Sequence, residues 1–261
     1  MFRPRIIPCL LLKGAGLVKT IKFGEPKYIG DPMNAVKIFN DLKADELVFL
    51  DIDASKESRT VSFELVKKIG DEAFMPFSVG GGIKNTEDIK KLFSAGVEKV
   101  VINTGALEND GLIKKGADIF GSQSIIASID AKKDANGNYS VFSHGGTKDT
   151  GLEPVYAAIK MEKLGAGEIL INSIDNDGTM EGYDLALIKR ITAAVKIPVI
   201  AIGGAGGLND FALAIYKGGA SAVAAGSMFV YSGKNRGILI NYPDREELEE
   251  IFKDKKLKKI C

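Results

Sequence analysis

The chain has 261 residues, of which 45% are hydrophobic, and its 35 basic and 34 acidic side chains leave a net charge of +1. This length suits a single α/β barrel, and the near-neutral charge predicts neither a nucleic acid nor a membrane surface as a partner. No apolar run is long enough to span a bilayer and the first residues lack a signal-peptide cleavage pattern, so we expect a cytoplasmic protein.

Apolar runs rich in β-branched residues predict eight parallel strands covered on both faces. They lie near residues 5–11, 46–52, 76–79, 99–103, 124–130, 168–173, 198–202 and 222–226. Amphipathic segments with helix-start signals separate them, and these signals are Asp31-Pro32, Asn85, Pro154, Tyr183-Asp184 and Asn209-Asp210. Strands that alternate with helices form either an open doubly wound sheet or a closed barrel.

Three connections are longer than a minimal barrel requires. Residues 13–30 follow the first strand and are rich in glycine and lysine, and residues 134–151 contain a turn sequence that predicts a small hairpin. Residues 232–243 contain another turn sequence and a short apolar run, which predicts a short strand before the last helix. The basic run 253–259 is interpreted as the solvent-exposed face of a terminal helix.

The sequence contains an internal repeat. Residues 76–82 return as residues 198–204, and residues 46–53 return as residues 168–175, at a nearly constant offset. A repeat of this kind predicts a single (β/α)₈ TIM barrel made of two half-barrels, about 1–120 and 121–261. When the first strand is aligned with the fifth, Leu11 falls on Asp130, so only one half has an acid at that position.

Glycine clusters follow the third and seventh predicted strands, and small polar residues follow the fourth and eighth. Glycine lets backbone amides approach an anion, and a following helix start adds a favourable dipole. Two such clusters in equivalent positions predict two phosphate sites on opposite sides of one barrel mouth. The clusters contain Gly81, Gly82, Asn103 and Thr104 in one half, and Gly203, Gly204, Gly226 and Ser227 in the other.

Several carboxylates stand at predicted strand ends. Asp130 ends an apolar strand and is interpreted either as a general acid or base, or as a carboxylate that binds loop amides. The repeat-related pair Asp53 and Asp175 is expected to hold loops. For Asp51 and Asp177 two interpretations remain, a helix cap or a residue of the site.

Charged residues begin four of the predicted strands and therefore share the opposite rim of the barrel. They either face water or close the barrel axis together; these residues are Arg5, Glu46, Lys99 and Glu168. The one histidine, His144, is expected in a solvated loop, with substrate contact as the second interpretation. One histidine with no nearby cysteine predicts no metal site, and no cofactor is expected. No hydrolytic triad can be assembled, so the chain is not expected to hydrolyse glutamine itself.

Specific motifs resemble the cyclase subunit of imidazole glycerol phosphate synthase, HisF, over nearly the whole chain. The segments that carry this resemblance are residues 5–10, 45–51, 79–83, 102–104, 129–132, 165–169, 173–179 and 203–206. The resemblance implies a half-barrel duplication that binds a substrate with two phosphates, and a partner glutaminase of the HisH type docked at the opposite rim. It implies that the four charged residues gate ammonia. It also implies phosphate contacts by Gly82, Asn103 and Thr104, and by Gly178, Gly204 and Ser227. Asp177, which precedes Gly178, is predicted to belong to the same phosphate site.

The sequence departs from the HisF pattern at Leu11, where the resemblance implies an aspartate that works with Asp130 as an acid/base pair. The opening 8–20 and the extra segment before the last helix look like a divergent branch associated with acetamidino modification of bacterial surface sugars. That branch implies a HisF-like ammonia-channelling subunit, with a separate amidotransferase as a further partner and a phosphorylated or nucleotide-sugar substrate. The alternatives are a cyclase subunit for histidine biosynthesis and a non-catalytic scaffold for a glutaminase.

Overall fold

Eight parallel strands pair in a closed ring, so the predicted (β/α)₈ barrel is confirmed. A computed structural model describes residues 3–233 and 235–253. Its strands, in chain order, are β1 (Arg5–Lys13), β2 (Gly16–Lys19), β3 (Lys27–Gly30), β4 (Leu47–Asp51), β5 (Phe77–Gly80), β6 (Lys99–Ile102), β7 (Ile125–Lys133), β8 (Tyr139–Ser143), β9 (Lys148–Asp149), β10 (Glu168–Ser173), β11 (Val199–Ile202), β12 (Ala222–Ala225), β13 (Tyr231–Ser232) and β14 (Gly237–Ile238). The barrel order is β1, β4, β5, β6, β7, β10, β11 and β12, and β12 pairs with β1.

Helices cover the outside of this ring. They are α1 (Pro32–Asp41), α2 (Phe63–Glu72), α3 (Thr86–Ser94), α4 (Thr104–Glu108), α5 (Asp110–Phe120), α6 (Pro154–Lys163), α7 (Leu185–Thr192), α8 (Leu208–Tyr216), α9 (Ser227–Val230) and α10 (Arg245–Lys253). The predicted caps are confirmed for Asp31 and Asn85, whose side chains accept hydrogen bonds from the amides of Asn34 and Asp88 at 3.0 Å and 2.9 Å. Residues 254–259 of the predicted basic helix lie outside the described residues.

The long connections form antiparallel hairpins on the barrel. β2 pairs with the end of β1, and β8 pairs with the end of β7, so both barrel strands extend beyond the ends that their apolar runs predict. The hairpin within residues 134–151 is therefore confirmed. The predicted strand before the last helix is confirmed as β14, which pairs with β13.

Two layers of apolar side chains build the core. The larger layer lies between the sheet and the helices, and it includes the fully buried Phe39, Phe49 and Phe211. A smaller layer from the strands fills the barrel axis and includes Ile7, Val48, Ile126, Leu170 and Ile200. Because each such side chain is worth about 1.5–3 kcal/mol when fully buried, both layers stabilise the closed ring. The axial layer also separates the two rims of the barrel.

Candidate active site

A cavity of about 390 Å³ opens at the carboxyl ends of the barrel strands. The carboxyl ends of parallel strands meet at one face of a barrel, and the loops that follow them form its mouth. Every residue predicted for phosphate binding lines this cavity together with Asp130: these are Gly81, Gly82, Asn103, Thr104, Asp177, Gly178, Gly203, Gly204, Gly226 and Ser227. The fold therefore brings the two predicted glycine clusters and the strand-end carboxylate into one place.

The first corner of the cavity is built around Gly82. This residue has a φ of +63°, and a Cβ added to it would lie 1.8 Å from the carbonyl oxygen of Arg59, so a side chain is excluded. Within the described chain, the amides of Gly82 and Thr104 donate no hydrogen bond to another protein atom. Backbone donors of this kind are available to an anion at the mouth.

Asn103 connects the same corner to the neighbouring strands through its side chain. Its side-chain amide donates to the carbonyl oxygens of Ser128 and Phe142 at 3.1 Å and 3.4 Å, and its Oδ1 accepts from the Thr104 hydroxyl at 3.2 Å. The Asn103 side chain thus ties β6 to β7 and β8, and it positions Thr104. The amide of His144 donates to the Thr104 hydroxyl at 2.9 Å, so the histidine contacts the corner through its backbone.

The second corner lies across the mouth, where Gly178, Gly204 and Ser227 meet. Gly204 has a φ of +114°, and an added Cβ would lie 2.1 Å from the carbonyl oxygen of Gly182. Gly178 has a φ of +72°, and its added Cβ would lie 2.2 Å from the carbonyl oxygen of Thr20. Among the described residues, the amides of Gly178, Gly204 and Ser227 find no hydrogen-bond acceptor in the protein. Both corners therefore present free backbone donors to the cavity.

Between the corners lie two carboxyl groups whose pKa values are raised above the ordinary value for aspartate. Burial, with a smaller contribution from the neighbouring Asp177, raises the pKa of Asp130 to about 7. Burial also raises the pKa of Asp177 to about 6, while the nearby Lys19 ammonium opposes the shift. A carboxyl group with a pKa near neutrality can both donate and accept a proton, which suits general acid or base catalysis.

Lys19 is a site residue that the sequence did not predict. Its ammonium is buried and donates to the carbonyl oxygen of Cys9 at 2.7 Å, and burial lowers its pKa. A Cβ added to Gly226 would lie 1.9 Å from the Lys19 Nζ, so glycine makes room for this side chain. The one sequence feature that could have indicated a site role for Lys19 is its position in the lysine-rich loop after the first strand. Only the pairing of β2 with β1 turns it back over the mouth.

Apolar side chains form the part of the cavity around Leu11. Leu11 pairs with Leu50 on the neighbouring strand, and both side chains line the cavity. Val101, Leu170 and Ile202 complete this surface. At the position where the resemblance to HisF implies a second acid, the chain therefore has a side chain that neither donates nor accepts a proton.

The four charged strand-start residues meet at the other rim and form a closed network, here named the charged ring. Arg5 bridges Glu46 at 2.5 Å and Glu168 at 2.7 Å, and Lys99 contacts Glu168 at 2.6 Å and Glu46 at 3.9 Å. Glu46 and Glu168 are buried, and the hydroxyl of Ser78 donates to Glu46 at 3.0 Å. The interpretation that these charges close the barrel axis together is supported over the one in which each faces water.

The remaining strand-end acids hold loops. Asp53 pairs with Lys13 at 3.3 Å, and Asp175 accepts a hydrogen bond from the amide of Lys133 at 2.9 Å, as expected for this repeat-related pair. Asp51 binds the guanidinium of Arg59 through both carboxylate oxygens, at 2.5 Å and 3.2 Å.

Across residues 3–233 and 235–253, no three histidine, cysteine or acidic side chains are grouped as a metal site would require. No helix in these ranges has the length and apolar content to cross a membrane.

The chain is a (β/α)₈ barrel with a glycine-lined cavity at one rim and a charged ring at the other. Comparison with known proteins identifies its family. The family model described as histidine biosynthesis protein matches residues 5–236, and the chain belongs to this family. It is 52% identical over 249 residues to a Pseudomonas aeruginosa protein provisionally named imidazole glycerol phosphate synthase subunit hisF2, covering 95% of this chain and 99% of that protein.

Two further relatives give the same result. A Leptospira interrogans protein, provisionally named as the HisF subunit of the same synthase, is 48% identical over 97% of this chain and 100% of its own length. The HisF subunit of imidazole glycerol phosphate synthase from Alkaliphilus metalliredigens is 47% identical over 89% of this chain and 92% of its own. The predicted resemblance to HisF is therefore confirmed.

Proposed function

We propose that this chain is the barrel subunit of a glutamine-dependent amidotransferase. In this proposal a glutaminase of the HisH type docks at the rim that carries the charged ring, and ammonia crosses the barrel axis to a phosphorylated substrate in the mouth. The names of the relatives support the subunit role, because each describes a subunit of a synthase.

The observation that carries the proposal is the asymmetry between the two rims. The charged ring is complete, with four ion pairs among four side chains, although an apolar floor would close a barrel equally well. At the mouth, the acid/base pair expected of a ring-closing cyclase is reduced to Asp130, because Leu11 occupies the other position. A chain that keeps the ring and loses one acid is suited to delivering ammonia for a different chemistry.

The substrate that we propose is a nucleotide-linked or otherwise phosphorylated bacterial surface sugar that receives an acetamidino group. The two corners would bind phosphate through the free amides of Gly82, Thr104, Gly178, Gly204 and Ser227. The apolar floor around Leu11 would face an uncharged part of the substrate. A separate amidotransferase would activate the acetamido group that the ammonia attacks.

The Lys99→Ala variant tests the ammonia route. Arg5 still bridges both glutamates after this change, so we expect only a modestly lower melting temperature. In a system reconstituted with the host's glutaminase homologue and amidotransferase, product formation from glutamine should become weak. Activity with added ammonium salts should be largely kept, because that nitrogen enters from solution.

The matched control is Lys68→Ala, which removes an exposed lysine paired with Glu64 on α2 and should change neither activity. Equal loss with glutamine and with ammonium in Lys99→Ala would assign the residue a structural or catalytic role and would refute the route. Failure of any glutaminase homologue to copurify from the native host would remove the docking claim.

The second candidate is a working imidazole glycerol phosphate synthase subunit, favoured by the retained Asp130 and by the name of the Alkaliphilus metalliredigens relative. Loss of one member of a general acid/base pair costs about 10²–10⁴ in rate. We therefore expect very slow ammonia-dependent formation of imidazole glycerol phosphate by the purified chain. Formation at the rate of an ordinary synthase subunit would overturn the interpretation of Leu11.

A further inference from the structure

A second cavity of about 390 Å³ lies beside the mouth, between two hairpins that the barrel itself does not need. One wall comes from β2, β3 and their connection, and the other from Tyr231, Asn235 and Arg236. Its lining includes Thr20, Glu25, Lys27, Tyr231, Asn235 and Arg236. We name it the side cleft. Thr20 and Glu25 also line the main cavity, so the two spaces adjoin.

The side cleft lies next to the second corner of the main cavity. Gly178 packs so closely on Thr20 that an added Cβ would lie 2.2 Å from the Thr20 carbonyl oxygen. On the other wall, the guanidinium of Arg236 donates to the carbonyl oxygen of Thr179 at 3.2 Å. Thr179 follows Gly178 in the chain, and consecutive Cα atoms are about 3.8 Å apart. Arg236 is therefore hydrogen-bonded to the residue that follows Gly178, whose amide has no acceptor among the described residues.

Cationic side chains outnumber carboxylates in the side cleft, whose lining also includes the buried Lys19. Within the described residues, neither Lys27 nor Arg236 forms an ion pair, and Glu25 is the one carboxylate in the lining. Arg236 is held by the Thr179 carbonyl and by the ring of Tyr231, whose centroid is 5.9 Å from the guanidinium carbon. A positioned guanidinium and an ammonium without an ion pair, both lining one cleft, are suited to a phosphate group.

We propose that the side cleft binds the outer phosphate of a diphosphate ester whose inner phosphate occupies the Gly178 corner. Adjacent phosphates of a diphosphate share one bridging oxygen, which matches the close approach of Arg236 to that corner. The group attached to the outer phosphate then extends along the cleft toward Tyr231. This inference rests on the proposed function, since it specifies the substrate class of the same mouth: a diphosphate-linked compound, not a monophosphate.

Titration calorimetry with defined probes tests the inference on the full-length chain. The probes are inorganic phosphate, pyrophosphate, UMP, UDP and geranyl diphosphate. The wild-type chain should bind pyrophosphate and UDP about tenfold tighter than phosphate and UMP, because a charged hydrogen bond is worth about one power of ten or more in affinity. Tighter binding of UDP than of geranyl diphosphate identifies a nucleotide as the attached group, and the reverse order identifies a lipid.

Two variants localise the outer phosphate. Lys27→Ala and Arg236→Gln should each weaken UDP and pyrophosphate binding about tenfold and leave phosphate and UMP unchanged, and glutamine can still donate to the Thr179 carbonyl. Lys67→Ala removes an exposed cation on α2, outside the cleft, and should change nothing. Equal affinity of the wild-type chain for UMP and UDP, or no specific effect of the two variants, overturns the side cleft but leaves the corners intact. Failure of every probe, inorganic phosphate included, overturns the phosphate corners of the proposed function as well.

Discussion

Replacing Asp130 with asparagine removes an ionisable group from the floor of the main cavity and should stabilise the fold at neutral pH. The folded chain raises the pKa of this carboxyl from its ordinary value of 3.8 to about 7, chiefly through burial and secondly through the charge of Asp177. An elevated carboxyl pKa means that the folded state disfavours the carboxylate relative to the unfolded chain. The resulting loss of stability develops as pH rises from 3.8 to about 7, and it is constant above that range.

The magnitude follows from the size of the shift. One pKa unit corresponds to about 1.4 kcal/mol, so a shift from 3.8 to about 7 gives an upper limit of about 4 kcal/mol. Asp130 faces a cavity that opens to water, which reduces the effect. We expect Asp130→Asn to raise the free energy of unfolding by about 1–4 kcal/mol at pH 8, and by much less near pH 4.

Urea denaturation of the wild-type chain and the variant, at pH 4, 6 and 8, measures this difference. Asp118→Asn is the control, because that carboxylate is exposed on α5 and pairs only with Lys114, four residues earlier. The same Asp130→Asn variant should lose product formation in the reconstituted system at every pH. A stability difference that does not change between pH 4 and pH 8 would refute the electrostatic reasoning, as would a wild-type chain that is the more stable of the two at pH 8.

Two further predictions concern backbone geometry and thiol chemistry. Gly82→Ala should lower the free energy of unfolding by about 3 kcal/mol or more, because its Cβ would lie 1.8 Å from the Arg59 carbonyl oxygen. Gly14→Ala shares the positive φ but has nothing within 4 Å, and should cost only about 1 kcal/mol in the same urea titration. In a Cys261→Ser chain, Cys9 should resist iodoacetamide at pH 8 until urea unfolds the protein, since burial raises the pKa of its thiol to about 12. Rapid alkylation of the native chain would contradict this.

The barrel strands could be predicted because each is a short apolar run covered on both faces, which is a local property of the sequence. β4, β5 and β11 lie within one residue of their predicted ends. The ends of β1 and β7 could not be predicted in this way. They are extended by pairing with β2 and β8, whose sequences mix polar and apolar residues, and such pairing depends on contacts rather than on composition.

The parts of the candidate site that could be predicted are those where the backbone geometry requires a particular residue type. Gly82 and Gly204 must be glycine because a carbonyl oxygen occupies the space of a Cβ, and that requirement is visible in the sequence. The burial of Lys19 could not be predicted, because the sequence does not distinguish a buried lysine from an exposed one. The Asn103 side chain reaches the carbonyls of Ser128 and Phe142, 25 and 39 residues away, and no local pattern indicates this.

The apolar layer along the axis bears on which form of nitrogen could follow the proposed route. Strand β10 begins at Glu168 in the charged ring and reaches Asn172 at the mouth four residues later, a rise of about 13 Å. The intervening side chains, such as Leu170 and Ile126, offer no polar partner to a passing ion. An ion on this route would lose its hydration with little in return, whereas a small neutral molecule would not. If nitrogen crosses from ring to mouth as we propose, it would therefore travel as uncharged ammonia and not as ammonium.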